Sequence, residues 1–216
     1  QGLVINITLA EGASKSTTFW KVYGEYTEGY KFIPQFLVSH SGQKGGLEYT
    51  ITAERKNDFG YRPREEVFYD GNDVITGAQD VDSSFNFKGI KLTSNLTYTF
   101  SDGDELRLNG LYDPNQFNTF ETRIETGNDP DHVIWNGDRD NARWEVGGDY
   151  TFNLGSFGKF KSLFVVNQNT EDTEVKRERD YIDPRFLYRN EFTDGKLSEK
   201  IFRSSTTVNV IGNQSL

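Results

Sequence analysis

Apolar and polar residues alternate with a period of two along most of this chain. Leu47, Tyr49, Ile51 and Ala53 interleave with Glu48, Thr50, Thr52 and Glu54. Trp144, Val146, Gly148, Tyr150 and Phe152 do the same against Arg143, Glu145, Gly147, Asp149 and Thr151. Leu106, Leu108, Gly110 and Tyr112 face Arg107, Asn109 and Leu111 in the same way. A pleated strand sends successive side chains to opposite faces, so each stretch has one apolar and one polar face. No long segment shows helical spacing, so the chain is all-β.

After a short β-branched run at the start (Val4 to Thr8), eight strands are expected, roughly at 18–27, 30–41, 46–56, 84–100, 104–122, 141–154, 158–176 and 198–211. Gly-containing stretches at 41–46, 101–104 and 154–158 read as tight turns. The connections 57–83, 123–140 and 177–197 read as long loops. In an antiparallel up-and-down meander, this places tight turns at one end and long loops at the other. Several strands exceed the usual five or six residues. About ten residues tilted near 45° cross a hydrocarbon layer, and this rhythm of turns and loops is that of an outer-membrane barrel. Tyr98, Phe100, Tyr150, Phe152 and Phe160 gather at the tight-turn end, where an interfacial girdle sits. The same rings would also suit cross-strand packing in a sandwich.

Composition narrows the function classes. With 24 Lys and Arg against 33 Asp and Glu, the net charge of −9 argues against a nucleic-acid partner. No cysteine is present, so disulfides and Cys-ligated metals are excluded. No apolar run is long enough for a membrane-spanning helix. No catalytic elbow, HExxH or phosphate-cradling loop occurs, so no enzymatic activity and no cofactor are expected.

His40 lies beside a tight turn and reads as structural. His132 sits near Asp129, Asp131, Asp138 and Asp140, which could hold a divalent ion but lack EF-hand spacing. A solvated acidic loop is the simpler reading, and no metal site is assigned. Asp70 to Asp73 reads as a turn. The mixed charges of 174–180 read as a solvated strand extension or as a contact for anionic lipopolysaccharide. Tyr61, Phe68, Tyr69, Trp135 and Tyr181 fall in the expected long loops, where exposed rings can stack on a sugar or organic ligand. Tyr61, Tyr69, Trp135 and Tyr181 are the candidate ligand-binding residues.

Gly2, Val4, Ile5, Asn6 and Ile7 form a run that resembles the last strand of the plug domain in TonB-dependent outer-membrane receptors. The linker, first hairpin and lengthening outer connections that follow are similar to that family as well. The resemblance implies that residues 1–12 end a plug and 13–216 form the first eight or so strands of a barrel of about 22 strands. The chain is then part of a large transmembrane barrel, and strands near 19–26 and 202–210 would lack their neighbours within it. The resemblance further implies an energy-coupled nutrient receptor in the outer membrane of a Gram-negative bacterium. Its partners would be outer-membrane lipid, a small-molecule ligand and a TonB-type protein acting through parts outside this chain. Siderophore, cobalamin and oligosaccharide receptors share this architecture. A complete small barrel serving as an adhesin or structural protein, and a soluble carbohydrate-binding β-sandwich, are the alternatives.

Overall fold

The computed structural model describes residues 15–26, 32–127, 131–179 and 186–209. The expected plug strand at 1–12 and the candidate Tyr181 lie outside them. Eight strands follow in chain order: β1 Lys15–Glu25, β2 Ile33–Lys44, β3 Leu47–Tyr69, β4 Ile75–Thr99, β5 Glu105–Gly127, β6 Asp131–Asn153, β7 Gly158–Arg179 and β8 Phe186–Val208. They form one sheet, each strand antiparallel to the next, with β1 and β8 as its edges. The chain is an all-β antiparallel meander, and no second sheet lies among the described residues. The sandwich alternative needs two.

The tight turns fall where expected. Gly45 turns β2 into β3 with φ near +57°, and Gly103 turns β4 into β5 with φ near +86°. A short 3-10 turn at Gly155–Phe157 joins β6 to β7. All three connections lie at one end of the meander. Asp104, 3% exposed, secures this end by accepting hydrogen bonds from the Tyr150 hydroxyl and the Asn153 backbone N–H.

The opposite end differs from the expectation. Residues 57–83 are not a loop: β3 and β4 run through them, and only Asp70 to Val74 turn. Most of 123–140 and 177–197 likewise belong to β5, β6, β7 and β8. From β3 onward, each strand has 22 to 25 residues. Hydropathy alternation fades in these upper halves because polar and charged residues occupy both faces there. The backbone ladder continues regardless, since its hydrogen bonds need no apolar face.

Register assigns the faces, because directly opposed residues of antiparallel strands share one. One cross-strand row runs Ile51, Ser94, Gly110, Val146 and Val166. The next towards the turns runs Tyr49, Leu96, Leu108, Gly148 and Phe164, and the next Leu47, Tyr98, Leu106 and Tyr150. On the other side of the Ile51 row lie Trp20, Val38, Ala53, Leu92, Tyr112 and Trp144. The apolar residues picked out by alternation therefore form one continuous patch on one face. Lys200 opposite Val166 breaks it at the edge strand β8.

This patch is uncovered. Ile51 is 54% exposed, Val146 48% and Tyr112 49%, and the only buried hydrophobic residues among those described are Val81 and Ile134. The other face of the same region is polar and tied together. Ser39 and Thr52 hydroxyls lie 3.0 Å apart, those of Ser41 and Thr50 2.9 Å, and Lys161 meets Asp149 at 3.1 Å. An isolated sheet with this much exposed apolar surface has no core of its own, so something apolar must cover it.

On β6 the patch extends from Phe152 to Ala142, eleven residues, or on the order of 24 Å of height at a 45° tilt. That matches the roughly 25 Å apolar band of an outer-membrane barrel. At its lower edge, Tyr98 and Phe100 meet edge to face with centroids 4.7 Å apart, and Phe100 meets Tyr150 at 6.1 Å.

Candidate functional site

Above the apolar patch, the sheet continues for roughly nine to fifteen residues per strand, on the order of 30 to 50 Å along the chain. Successive side chains still alternate between the faces, but what fills each face changes. On the face that is polar lower down, one row now reads Arg62, Ser83, Glu121, Trp135 and Arg177. Two rows nearer the patch it reads Asp58, Phe87, Phe117 and Arg139, with Gly60, Phe85, Thr119 and Gly137 between.

These residues meet as rings and guanidiniums. Arg177 lies over the Trp135 ring at 4.6 Å, Arg139 over Phe117 at 5.3 Å and Arg62 over Phe85 at 5.5 Å. Phe85 and Phe117 stack with centroids 5.9 Å apart. Gly60 is required beneath Phe85, because a Cβ there would stand 2.1 Å from the ring. Such pairs orient the guanidinium plane without consuming its donors.

Ion pairs frame the aromatic rows. Glu121 accepts from Arg123 Nε at 2.5 Å and stands 3.9 Å from Arg64, and Arg179 reaches Asp131 at 2.9 Å. Arg64 also donates to Glu66 at 2.7 Å, and this hydrogen bond raises its pKa. Some polar atoms stay unmatched in the same region. The Trp135 Nε1 and Arg177 Nε donors and the Asp131 Oδ1 and Asn141 Oδ1 acceptors are buried without a hydrogen-bond partner. Unmatched buried polar atoms are rare in folded proteins. Donors, acceptors and ring surface together suit an oxygen-rich small molecule.

The candidate residues separate. Trp135 belongs to this wall, but on strand β6 rather than in a loop. Tyr61 is also on a strand, β3, and on the opposite face, where its hydroxyl donates to Asp82 at 2.6 Å. Tyr69 ends β3 beside the hairpin tip, 60% exposed. The three are not brought together. Arg62, Phe85, Phe117, Arg139 and Arg177 went unselected in the sequence, although their period-two spacing continues that of the lower strands.

The remaining readings resolve simply. His40 is structural: Thr18 Oγ1 lies 2.8 Å from its Nδ1 and the Tyr49 hydroxyl 3.1 Å from its Nε2. Strand β6 spreads His132, Asp138 and Asp140 along its length and turns Asp131 to the other face. No group of three or more ligating side chains that could hold a metal occurs among the described residues. Asp70 shapes the β3–β4 tip by accepting from the backbone N–H groups of Val74 and Asn72, and these bonds lower its pKa. The stretch 174–180 is strand extension through Arg179, and Lys176 pairs there with Glu174 at 2.9 Å. No protein-family model matches the chain, and no curated protein is similar to it.

Proposed function

We propose that this chain forms part of the wall of an energy-coupled, TonB-dependent nutrient receptor in the outer membrane of a Gram-negative bacterium. One observation carries the reading: a single coreless meander bears an exposed apolar band of bilayer height on one face and polar side chains on the other. Lipid covers such a band, and a polar lumen suits the opposite face. The resemblance of Gly2 to Ile7 to a plug terminus supplies the family.

In this role the strands carry their inner face far above the bilayer, and the arginine–aromatic wall around Trp135 meets ligand entering the lumen. The ligand is a small oxygen-bearing nutrient of the siderophore, cobalamin or oligosaccharide kind. Capture needs a firm site, and release then needs work. A TonB-type protein supplies that work through segments outside this chain.

The test is growth of a strain lacking the gene on limiting iron, cobalamin or oligosaccharide, with and without its energy-coupling protein. The expected result is one nutrient-specific defect that loss of the coupling protein reproduces. Normal growth on all three, or uptake that persists without coupling, contradicts the proposal.

A further inference from the structure

Arginine is segregated by face in this sheet. Above the apolar patch, every arginine on the described strands lies on the inner face, although the chain carries a net charge of −9. The outward face at that height carries Asp82, Asp138 and Glu174 instead. The inner arginines then divide in two. Arg64, Arg123, Arg179 and Arg189 pair with Glu66, Glu121, Asp131 and Glu191. Arg62, Arg139 and Arg177 each lie over a ring, and among the described residues none of the three enters an ion pair. Their positive charge is held in place without being matched.

The rings beneath them are not open platforms. Phe85 fills the space above Gly60, with Arg62 and Phe117 against it. Arg139 covers Phe117, and Arg177 covers Trp135. What this wall offers a ligand is guanidinium N–H more than ring face. A neutral sugar would have to displace a guanidinium before stacking, whereas a carboxylate accepts from the fork where it stands. Trp135 and Arg177 are also directly opposed, and the buried donors Trp135 Nε1 and Arg177 Nε both lack a partner. Two unmatched donors therefore stand side by side. Arg139 sits four residues below the level of Arg177, roughly 13 Å along the strands, and Arg62 lies four strands away in the row of Arg177, about 19 Å across the sheet. One carboxylate cannot serve all three.

We infer that the ligand met by this wall is a polycarboxylate. One carboxylate accepts from Arg177 and the Trp135 N–H, and others on the same frame accept from Arg139 and Arg62. The inference rests on the proposed receptor role and narrows its ligand, setting aside neutral oligosaccharides and cobalamin, which carry no carboxylate. Acidic oligosaccharides and hydroxycarboxylate chelates of iron(III) share the required chemistry.

The experiment measures equilibrium binding to the intact protein in detergent micelles by titration calorimetry. The probes are trigalacturonate, its methyl ester, iron(III) citrate and maltotriose. One of the two acidic probes is expected to bind, and which one does so identifies the source. The neutral ester and maltotriose are expected to bind about tenfold more weakly or less. Arg139→Gln and Arg177→Gln should each weaken the acidic probe about tenfold. Arg177→Lys keeps the charge but loses the fork, so it should recover only part of that loss. Lys88→Gln on the outward face should leave binding unchanged. The comparison of acidic with neutral probes uses the unaltered protein, so it stands even if a variant misfolds. A neutral probe bound as tightly as either acidic one overturns the inference. So does acidic binding that neither substitution to Gln weakens, or the binding of neither acidic probe. Energy-coupled uptake of a neutral nutrient refutes this inference alone, whereas absence of any coupled uptake refutes the receptor reading with it.

Discussion

The lower and upper halves of the sheet share one backbone pattern and carry opposite contents. Below, the outward face holds Ile51, Leu108 and Val146, and the inner face holds Glu48, Arg107 and Glu145. Above, the outward face turns polar and acidic through Glu65, Asp82, Asp138 and Asp172, whereas Phe85, Phe117 and Trp135 move to the inner face. Strand alternation is fixed by the pleat, so the medium on each side decides what fills it. Between the two halves the β4–β5 ladder is interrupted, from the Gly89–Asn115 pair to the Leu92–Tyr112 pair.

Arginine substitutions test the boundary most sharply. Val146→Arg in the apolar band is expected to cost about 2–4 kcal/mol in a bilayer, measured by denaturant unfolding of the intact protein in vesicles. Its neighbour Glu145 faces the polar side, so Glu145→Arg should cost less than about 1 kcal/mol, the worth of its exposed pair with Arg143. Equal costs at the two positions would contradict the assigned faces.

The upper inner face is expected to matter for binding more than for folding. Trp135→Ala removes the platform beneath Arg177 and, under the proposed function, should weaken ligand capture by the intact protein about tenfold. Uptake kinetics at low nutrient concentration measure this, with surface abundance as the control. Unchanged uptake at normal abundance would remove the wall from the ligand's path.

On the outward face of the same upper half, charge should be tolerated. Glu65 lies directly opposite Asp80, so Glu65→Arg replaces a like-charge pair with an attractive one. Its effect should stay within about 0.5 kcal/mol in the same unfolding assay. A penalty as large as that of Val146→Arg would mean that the apolar environment reaches far above the apolar patch.

The smallest effect concerns the β3–β4 tip. The folded pKa of Asp70 lies below its ordinary value of 3.8, because backbone N–H groups stabilise the carboxylate. Its contribution to tip order is therefore complete above that value and is lost as pH falls through the lowered one. Amide chemical shifts of Asn72 and Val74 should follow this titration, and Asp70→Asn should abolish it. A tip indifferent to both would show that its order comes from the strands beneath.

In the lower half the sequence was nearly sufficient. Leu47, Tyr49, Ile51, Leu106, Leu108, Trp144, Val146 and Tyr150 were legible as one face, because one side of the sheet is apolar there and the other polar, which makes the alternation strict. The turns at Gly45, Gly103 and Gly155 were legible for a local reason: tight reversal needs backbone conformations that glycine adopts freely. The upper strands were not legible, since polar and charged residues occupy both faces there and blur the hydropathy contrast, so 57–83 reads as loop. Tertiary pairing alone decided that Arg177 would lie over Trp135, that Phe85 would stack on Phe117, and that Tyr61 would face away from both. Those contacts join residues far apart in the chain, and only the register of neighbouring strands, set by the ladder below, brings them level.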